Sequence, residues 1–202
     1  MWEWSPVFAT GIDQIDEEHQ ELFRMINTLT QEISTGLENS GIEAFDRTVN
    51  ELITYAQEHF AHEERIMIEH NIDPRHLSLQ KMEHHSFVYD VEKFHSKFIV
   101  SDQMTKHLKD LVFLITTWMA YHTLKVDLDM AHQIRLINEG TPPAEAYDIV
   151  RNMKPNERAT RMMLNSVLDL WSEALAREHE LELELKRLHA QLSSEEIKKN
   201  EE

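Results

Sequence analysis

The 202-residue sequence predicts an all-α protein, an up-down-up-down four-helix bundle followed by a long C-terminal coiled-coil-like helix. Glycine (4) and proline (5) are scarce, which favours long helices over sheets with tight turns. Apolar residues recur at intervals of three and four, the spacing of amphipathic helices. Only a few residues separate these stretches, and short loops join antiparallel neighbours in a bundle.

The first half of the predicted bundle follows an aromatic, non-helical arm of residues 1 to about 11. A first helix should end near Gly36, and its apolar positions are Ile15, Leu22, Ile26, Leu29 and Ile33. The stretch Asn39-Ser40-Gly41 predicts a break in the chain. A second helix should then reach about His70 through Ile42, Phe45, Val49, Leu52, Ile53, Phe60, Ile66 and Met67.

The second half of the bundle begins at a capping signal. Asp73 is a typical N-cap and Pro74 a typical first helical residue, so a third helix should run from here to about Val100. Its apolar positions are Leu77, Met82, Phe87, Val91, Phe94 and Phe98. Ser101-Asp102 should cap a fourth helix that reaches about Ile137, with Leu108, Leu111, Val112, Ile115, Trp118 and Met119 on its apolar side.

The clearest boundary is Gly140-Thr141-Pro142-Pro143, which predicts a bundle over 1–139 and a connector with a C-terminal helix over 140–202. A short helix near 144–153 precedes a long one patterned by Leu164, Leu168, Trp171, Leu175, Leu181, Leu185, Leu188 and Leu192. Between Leu175 and Leu181 the pattern advances by two consecutive three-residue steps, which place Glu178 among the apolar positions. Such an irregularity, called a stammer, locally overwinds a coiled coil. This pattern favours a homodimer, the alternative being a helix docked on its own bundle.

Composition excludes several classes of function. A formal net charge of −17 argues against nucleic-acid binding, which needs a basic surface. The absence of cysteine excludes disulfides and thiolate metal sites, so any metal must take nitrogen and oxygen ligands. The N-terminal residues lack the features of a secretory signal, and no stretch has the apolar length of a membrane span. A cytoplasmic location is therefore expected.

The candidate site consists of four histidines and two carboxylates spread over the four predicted helices. His59 and Glu63 lie four residues apart and therefore share a helix face, where an imidazole beside a carboxylate can bind a transition metal. His19 belongs to the first helix and His84 to the third. Bundles build dinuclear metal centres from such inward-facing residues, with carboxylates bridging the two ions. Any one of these histidines alone is more typical of a helix surface or core.

The fourth helix carries the last pair, His122 and Asp127, at an unusual spacing. Five residues turn a regular helix through about 500°, which places the two side chains on different faces. If both bind one centre, the helix must contain a π-type bulge or Asp127 must reach in from the side.

Four motifs occur in order after the aromatic arm, over about residues 1 to 138: TGIDQIDEEHQELF, HFAHEERIM, EHHSF and WMAYHTLKVD. In these motifs the chain resembles the bacterial hemerythrins (bacteriohemerythrins). The resemblance implies two non-haem iron ions with an oxo or hydroxo bridge, and reversible O2 binding at one of them. It implies that His19 and His59 hold the iron that binds O2, that His84 and His122 hold the other, and that Glu63 and Asp127 bridge.

The chain departs from that family at two positions. The family has a third histidine on the second iron, one turn before His84, and here Gln80 stands in its place. We expect water or Gln80, rather than His76, to fill this ligand position on the second iron. Thr123 follows His122 where the family usually has an aliphatic residue, and its hydroxyl can wet the pocket. Loss of an imidazole favours redox or gas sensing over stable oxygen carriage.

Three hypotheses about function follow from the resemblance. The first is an oxygen or redox sensor that is not itself an enzyme and signals through its C-terminal helix. Residues after about 145 resemble the connector between bacterial hemerythrin domains and output domains such as diguanylate cyclases, and none of these 202 residues forms such a domain. The second is an oxygen carrier or store. The third is a di-iron peroxide or nitric oxide reductase, which is ranked last because the sequence shows no dedicated proton donor beside the ligands.

Overall fold

The computed structural model describes residues 4–34, 39–98, 104–153 and 186–187, and these ranges contain helices and no strands. The predicted all-α class is confirmed. The elements are a 3-10 turn (Pro6–Phe8), α1 (Asp13–Ser34), α2 (Asn39–Glu69), α3 (Pro74–Phe98), α4 (Met104–Tyr121), a π-helical segment (His122–Asp127), α5 (Leu128–Asn138) and α6 (Pro143–Asn152). Because α4, the π-helical segment and α5 follow without a break, they form one long fourth helix.

The four long helices pack as a closed bundle. Helix α1 packs on α2, α2 on α3 and α3 on α4, and α4 returns to α1. The apolar stripes predicted for the first two helices face this core, where Ile15, Leu29, Phe45 and Val49 are completely buried. Burial of these stripes, more than intrinsic helix propensity, is what stabilises helices of this length.

The predicted start of α3 is confirmed in atomic detail. One carboxylate oxygen of Asp73 accepts a hydrogen bond of 2.8 Å from the backbone N–H of Arg75, as an N-cap does. The same carboxylate also accepts hydrogen bonds from the Arg75 guanidinium, at 2.8 Å and 3.0 Å. Pro74 takes the first helical position, where its missing N–H has no cost. Asp73 therefore fixes the N-terminal turn of the helix that carries His84.

The buried stripe of α3 differs from the predicted one. Met82 was expected on the apolar face, but it is 58% exposed. The stripe that faces the core is instead partly polar, and its residues are His76, Gln80, His84, Phe87 and Val91. These residues follow one another at steps of four, four, three and four, so Met82 lies off their line.

The predicted break at Asn39-Ser40-Gly41 is wrong in position, because α2 already begins at Asn39. Such residues are tolerated in a first turn, where backbone N–H groups have no partner within the helix. The end predicted for the first helix near Gly36 and the cap predicted at Ser101-Asp102 lie outside the described residues.

The irregularity expected between His122 and Asp127 is present. The chain from His122 to Asp127 is a π-helix, and both terminal side chains are buried. The i to i+5 hydrogen bonding of a π-helix widens each turn, which returns a residue five positions on to the same face. The structure thus selects the bulge over the alternative in which Asp127 reaches in from the side.

Contacts divide the chain into a unit of residues 1–160 and a unit of residues 161–202. Helix α6 belongs to the first unit, where Arg75 bonds Asp148 at 3.0 Å and its guanidinium lies 4.1 Å from the Tyr147 ring centroid. The predicted boundary after residue 139 stays a prediction. Within the second unit the structure describes only Lys186 and Arg187, which are helical, so the leucine seam, Glu178 and dimerisation lie outside the described residues. Among the helices that are described, none has the length and apolar character needed to cross a membrane.

Replacing Asp73 by alanine should destabilise the fold by about 1 to 2 kcal/mol at pH 7, because the N-cap and the Arg75 contacts are lost. Bonding to Arg75 outweighs burial and lowers the pKa of Asp73 below its ordinary value. Because the pKa of Asp73 is lowered in the folded state, its ionised carboxylate stabilises the fold fully at pH values above 3.8, the ordinary pKa. This stabilisation is lost progressively as the pH falls below that value. Urea unfolding should therefore show a smaller difference in unfolding free energy between wild type and Asp73→Ala at pH 3 than at pH 7. Asp110→Ala, at an exposed position of α4, is the control, and an equal loss at both pH values would contradict this reading.

Candidate metal centre

All six side chains predicted to bind metal meet in the core of the bundle. Helix α1 contributes His19, α2 contributes His59 and Glu63, α3 contributes His84, and the π-helical segment contributes His122 and Asp127. None of the six is more than 3% exposed. Two groups can each hold a metal ion, because their ligand atoms lie within 4.8 Å of one another: His19, His59 and Glu63 in one, and Glu63, His84 and His122 in the other.

Glu63 is shared between the two groups, with one carboxylate oxygen for each. Its Oε1 lies 3.4 Å from His59 Nε2 and 3.9 Å from His19 Nε2. Its Oε2 lies 3.0 Å from His84 Nε2 and 4.0 Å from His122 Nε2. A carboxylate that presents its two oxygens to two separate pairs of imidazoles has the geometry of a bridging ligand.

Asp127 repeats this arrangement from the opposite helix. Its Oδ2 lies 3.3 Å from His19 Nε2, and its Oδ1 lies 3.2 Å from His122 Nε2. Both shared carboxylates are fully buried. The site therefore has two halves, each with two imidazole nitrogens and one oxygen from each carboxylate.

Two buried carboxylate oxygens of the site have no hydrogen-bond partner, and this indicates whether the donor set fits a metal. Glu63 Oε1 and Asp127 Oδ2 are buried and accept no hydrogen bond from any protein group. Leaving a buried carboxylate oxygen unpaired is costly, and metal coordination is one of the few ways to compensate it. Both atoms belong to the half that contains His19 and His59. Imidazole with carboxylate is a donor set suited to iron and other first-row transition metals.

The charges around Asp127 keep that carboxylate ionised. Burial would raise the pKa of Asp127, but contacts with His122 and His19 outweigh it and hold that pKa well below its ordinary value. Burial would lower the pKa of His122, and Asp127 and Glu63 outweigh it so that the pKa is raised. The Asp127 carboxylate is therefore ready to bind a cation.

Gln80 occupies the position where the family pattern has a third histidine, and it is completely buried. Its amide nitrogen donates to Glu63 Oε2 and to Asp127 Oδ1, each at 3.1 Å. Its carbonyl oxygen accepts a hydrogen bond of 3.0 Å from His76 Nε2. His76 is buried on the same stripe, and burial lowers its pKa. It contacts Gln80 and belongs to neither candidate metal group.

Two outer carboxylates that sequence reasoning missed contact the candidate ligands from behind. Glu18 accepts a hydrogen bond of 2.8 Å from His59 Nδ1, and Glu64 accepts one of 3.2 Å from His84 Nδ1. A proton held on Nδ1 leaves the Nε2 lone pair free to point at a metal. Each half of the site thus contains one imidazole oriented by a carboxylate. Glu18 and His59 are 41 residues apart, and no local pattern links them.

Glu18 also accepts a hydrogen bond of 2.6 Å from His62 Nδ1, whose side chain is 38% exposed. Burial would raise the pKa of Glu18, but hydrogen bonds from His59, Gln14 and His62 outweigh it and lower the pKa to about 2. Five other histidines of the described part of the chain join no candidate metal group: His62, His70, His85, His95 and His132. The side chain of His107 lies outside the described residues.

Aromatic side chains wall the site. Phe60 stacks on the His84 ring at 4.0 Å, and Trp118 stacks on the His122 ring at 4.2 Å. Beside the ligands lies a cavity with room for about one water-sized molecule. It is lined mainly by apolar side chains together with His19, His59, His122, Thr123 and Asp127. Thr123 is buried, so its side chain belongs to the wall of this cavity.

Replacing Glu18 by alanine should weaken metal binding by about 10- to 100-fold, because His59 loses the partner that sets its orientation and tautomer. Titration of the metal-free protein with Fe²⁺ under anaerobic conditions, in competition with a chromophoric chelator, measures this change. Glu17→Ala, at the exposed neighbouring position, is the matched control. Equal affinities for Glu18→Ala and wild type would show that Glu18 does not support the site.

Comparison with known proteins agrees with this geometry. The family model described as hemerythrin HHE cation binding domain matches residues 10–134. A bacteriohemerythrin of Clostridium acetobutylicum is 32% identical over 127 residues, which are 63% of this chain and 96% of that protein. Bacteriohemerythrins of Pseudomonas paraeruginosa and Stenotrophomonas maltophilia are 26% and 24% identical over 132 residues, 65% of this chain and 80% of each relative. No solved structure gives a significant match. The chain belongs to the hemerythrin family.

Proposed function

We propose that the chain holds two non-haem iron ions, binds O2 at one of them, and acts in the cytoplasm as an oxygen or redox sensor. The observation that carries the proposal is the pair of fully buried carboxylates, Glu63 and Asp127, each shared between two pairs of imidazoles. The bacteriohemerythrins to which the chain is similar support iron as the metal and O2 as the ligand. Bound iron supplies the reducible centre.

In this proposal His19 and His59 hold the iron that binds O2, while His84 and His122 hold the other. Glu63 and Asp127 bridge the two ions. The cavity supports the assignment, because it touches both imidazoles of this half, His19 and His59, but only His122 of the other, and it has room for only a very small molecule. Its apolar lining, which includes Leu22, Leu52 and Phe87, admits O2 and keeps bulk water from the centre.

Two residues favour a sensor over a carrier. With Gln80 in place of an imidazole, the iron beside His84 and His122 has one fewer nitrogen donor, which changes its reduction potential. Thr123 brings a hydroxyl-bearing side chain to the wall of the cavity. Both changes would favour a sensing role over reversible oxygen storage. A sensor needs only a lasting change of state, whereas a carrier must release O2 unchanged.

The arrangement of helices offers a route for a signal. Asp127 ends the π-helical segment, and α5 follows it directly. Helix α5 packs on α6, which Arg75 also ties to the start of α3. A displacement of Asp127 would thus be passed on to α5 and α6. We propose that this movement reaches the C-terminal helix and alters its pairing in a homodimer, as input to an output domain such as a diguanylate cyclase.

Restoring an imidazole at position 80 should stabilise the oxygenated form. For Gln80→His we expect the reduced, oxygenated protein to oxidise to the ferric state about tenfold more slowly than wild type, a change of the size seen when metal surroundings are altered. Stopped-flow absorption after mixing reduced protein with O2 measures the lifetime. His85→Gln, at an exposed position of the same helix, is the control. A wild-type lifetime as long as that of Gln80→His would favour oxygen carriage.

Deleting the residues after 156 should convert the dimer to a monomer and leave the visible spectrum of the iron centre unchanged. The reason is that the predicted dimer seam lies beyond this point, whereas all six candidate ligands precede it. Light scattering coupled to size exclusion measures the mass. An unchanged oligomer would rule out dimerisation through the C-terminal helix.

A further inference from the structure

We propose that Gln80 is not a metal ligand but a hydrogen-bond donor that positions both bridging carboxylates, and that His76 holds it in this role. As a consequence each of the two metals can take an external anionic ligand. The inference rests on the proposed dinuclear centre and adds to it a second position for small ligands, beside His84 and His122.

The surroundings of the Gln80 amide decide which of its two ends faces the site. The inner atom lies 3.1 Å from Glu63 Oε2 and 3.1 Å from Asp127 Oδ1, and both of these oxygens are acceptors. An amide nitrogen carries two N–H donors and satisfies both contacts. A carbonyl oxygen in the same place would face two carboxylate oxygens and be repelled by both.

His76 holds the outer end of the same amide. Its Nε2–H donates to Gln80 Oε1 at 3.0 Å, and both side chains are buried. Gln80 thus uses both of its N–H donors and one acceptor, which leaves no polar group of the amide unpaired. Turning Oε1 towards a metal would break three buried hydrogen bonds, each of which is costly to leave unmade.

With Gln80 as a donor, the two halves of the centre have equivalent protein ligands. One half presents His19, His59, Glu63 Oε1 and Asp127 Oδ2. The other presents His84, His122, Glu63 Oε2 and Asp127 Oδ1. Each metal therefore receives four atoms from the protein, fewer than the six of an octahedral ion. The cavity is lined by His19 and His59 of one half and by His122 of the other, so the second half also borders the space from which a small ligand would approach.

Azide binding to the diferric protein tests the proposal. We expect two azide ions per pair of irons for wild type, counted by calorimetry and by the absorption of the azide complex. Gln80→Leu, which removes every donor and acceptor at this position, should also bind two. Gln80→His, which adds an imidazole to the second half, should bind one.

If Gln80 were a ligand, wild type would instead bind one azide and resemble Gln80→His, while Gln80→Leu would bind two. That pattern would overturn the proposal and leave the proposed oxygen sensor intact, because iron content and O2 binding would be unaffected. The comparison of wild type with Gln80→Leu alone decides the question if Gln80→His fails to fold. Fewer than two irons in wild type would overturn the proposed function and this inference together.

Discussion

The whole bundle is organised around two carboxylates that have no contact with solvent. Glu63 and Asp127 are completely buried, and an isolated charge in such a place costs several kcal/mol. Four imidazoles and the Gln80 amide compensate part of this cost, and two carboxylate oxygens still lack a hydrogen bond. Because the six candidate ligands come from every long helix of the bundle, the candidate site forms only when these helices pack together.

The π-helical segment is the local feature that makes this centre possible. In a regular helix His122 and Asp127 would face different directions, but the wider turn brings both to the core. Regular α-helix on both sides, α4 and α5, keeps the irregularity confined to six residues. The spacing of these two residues left two possibilities, a bulge or a sideways reach of Asp127, and the structure contains the bulge.

Local spacing predicted most of the fold, and the six side chains that the sequence proposed as metal ligands are all buried in its core. The i to i+4 relation of His59 and Glu63, the cap at Asp73 and the apolar stripes of α1 and α2 are properties of neighbouring residues. The features that the sequence did not predict depend on contacts between distant residues or on the positions of helix ends. Glu18 meets His59 across 41 residues, and the pairing of Gln80 with His76 depends on the position of two carboxylates on other helices. Asn39 begins α2, although the stretch Asn39-Ser40-Gly41 was predicted to be a break before that helix.

The central claim is that the two shared carboxylates join two metal ions in one site. Its most direct test is the metal content of the purified protein together with the magnetic susceptibility of its ferric form. We expect two iron ions per chain with magnetically coupled spins. One iron per chain, or two irons that behave as independent paramagnets, would contradict it.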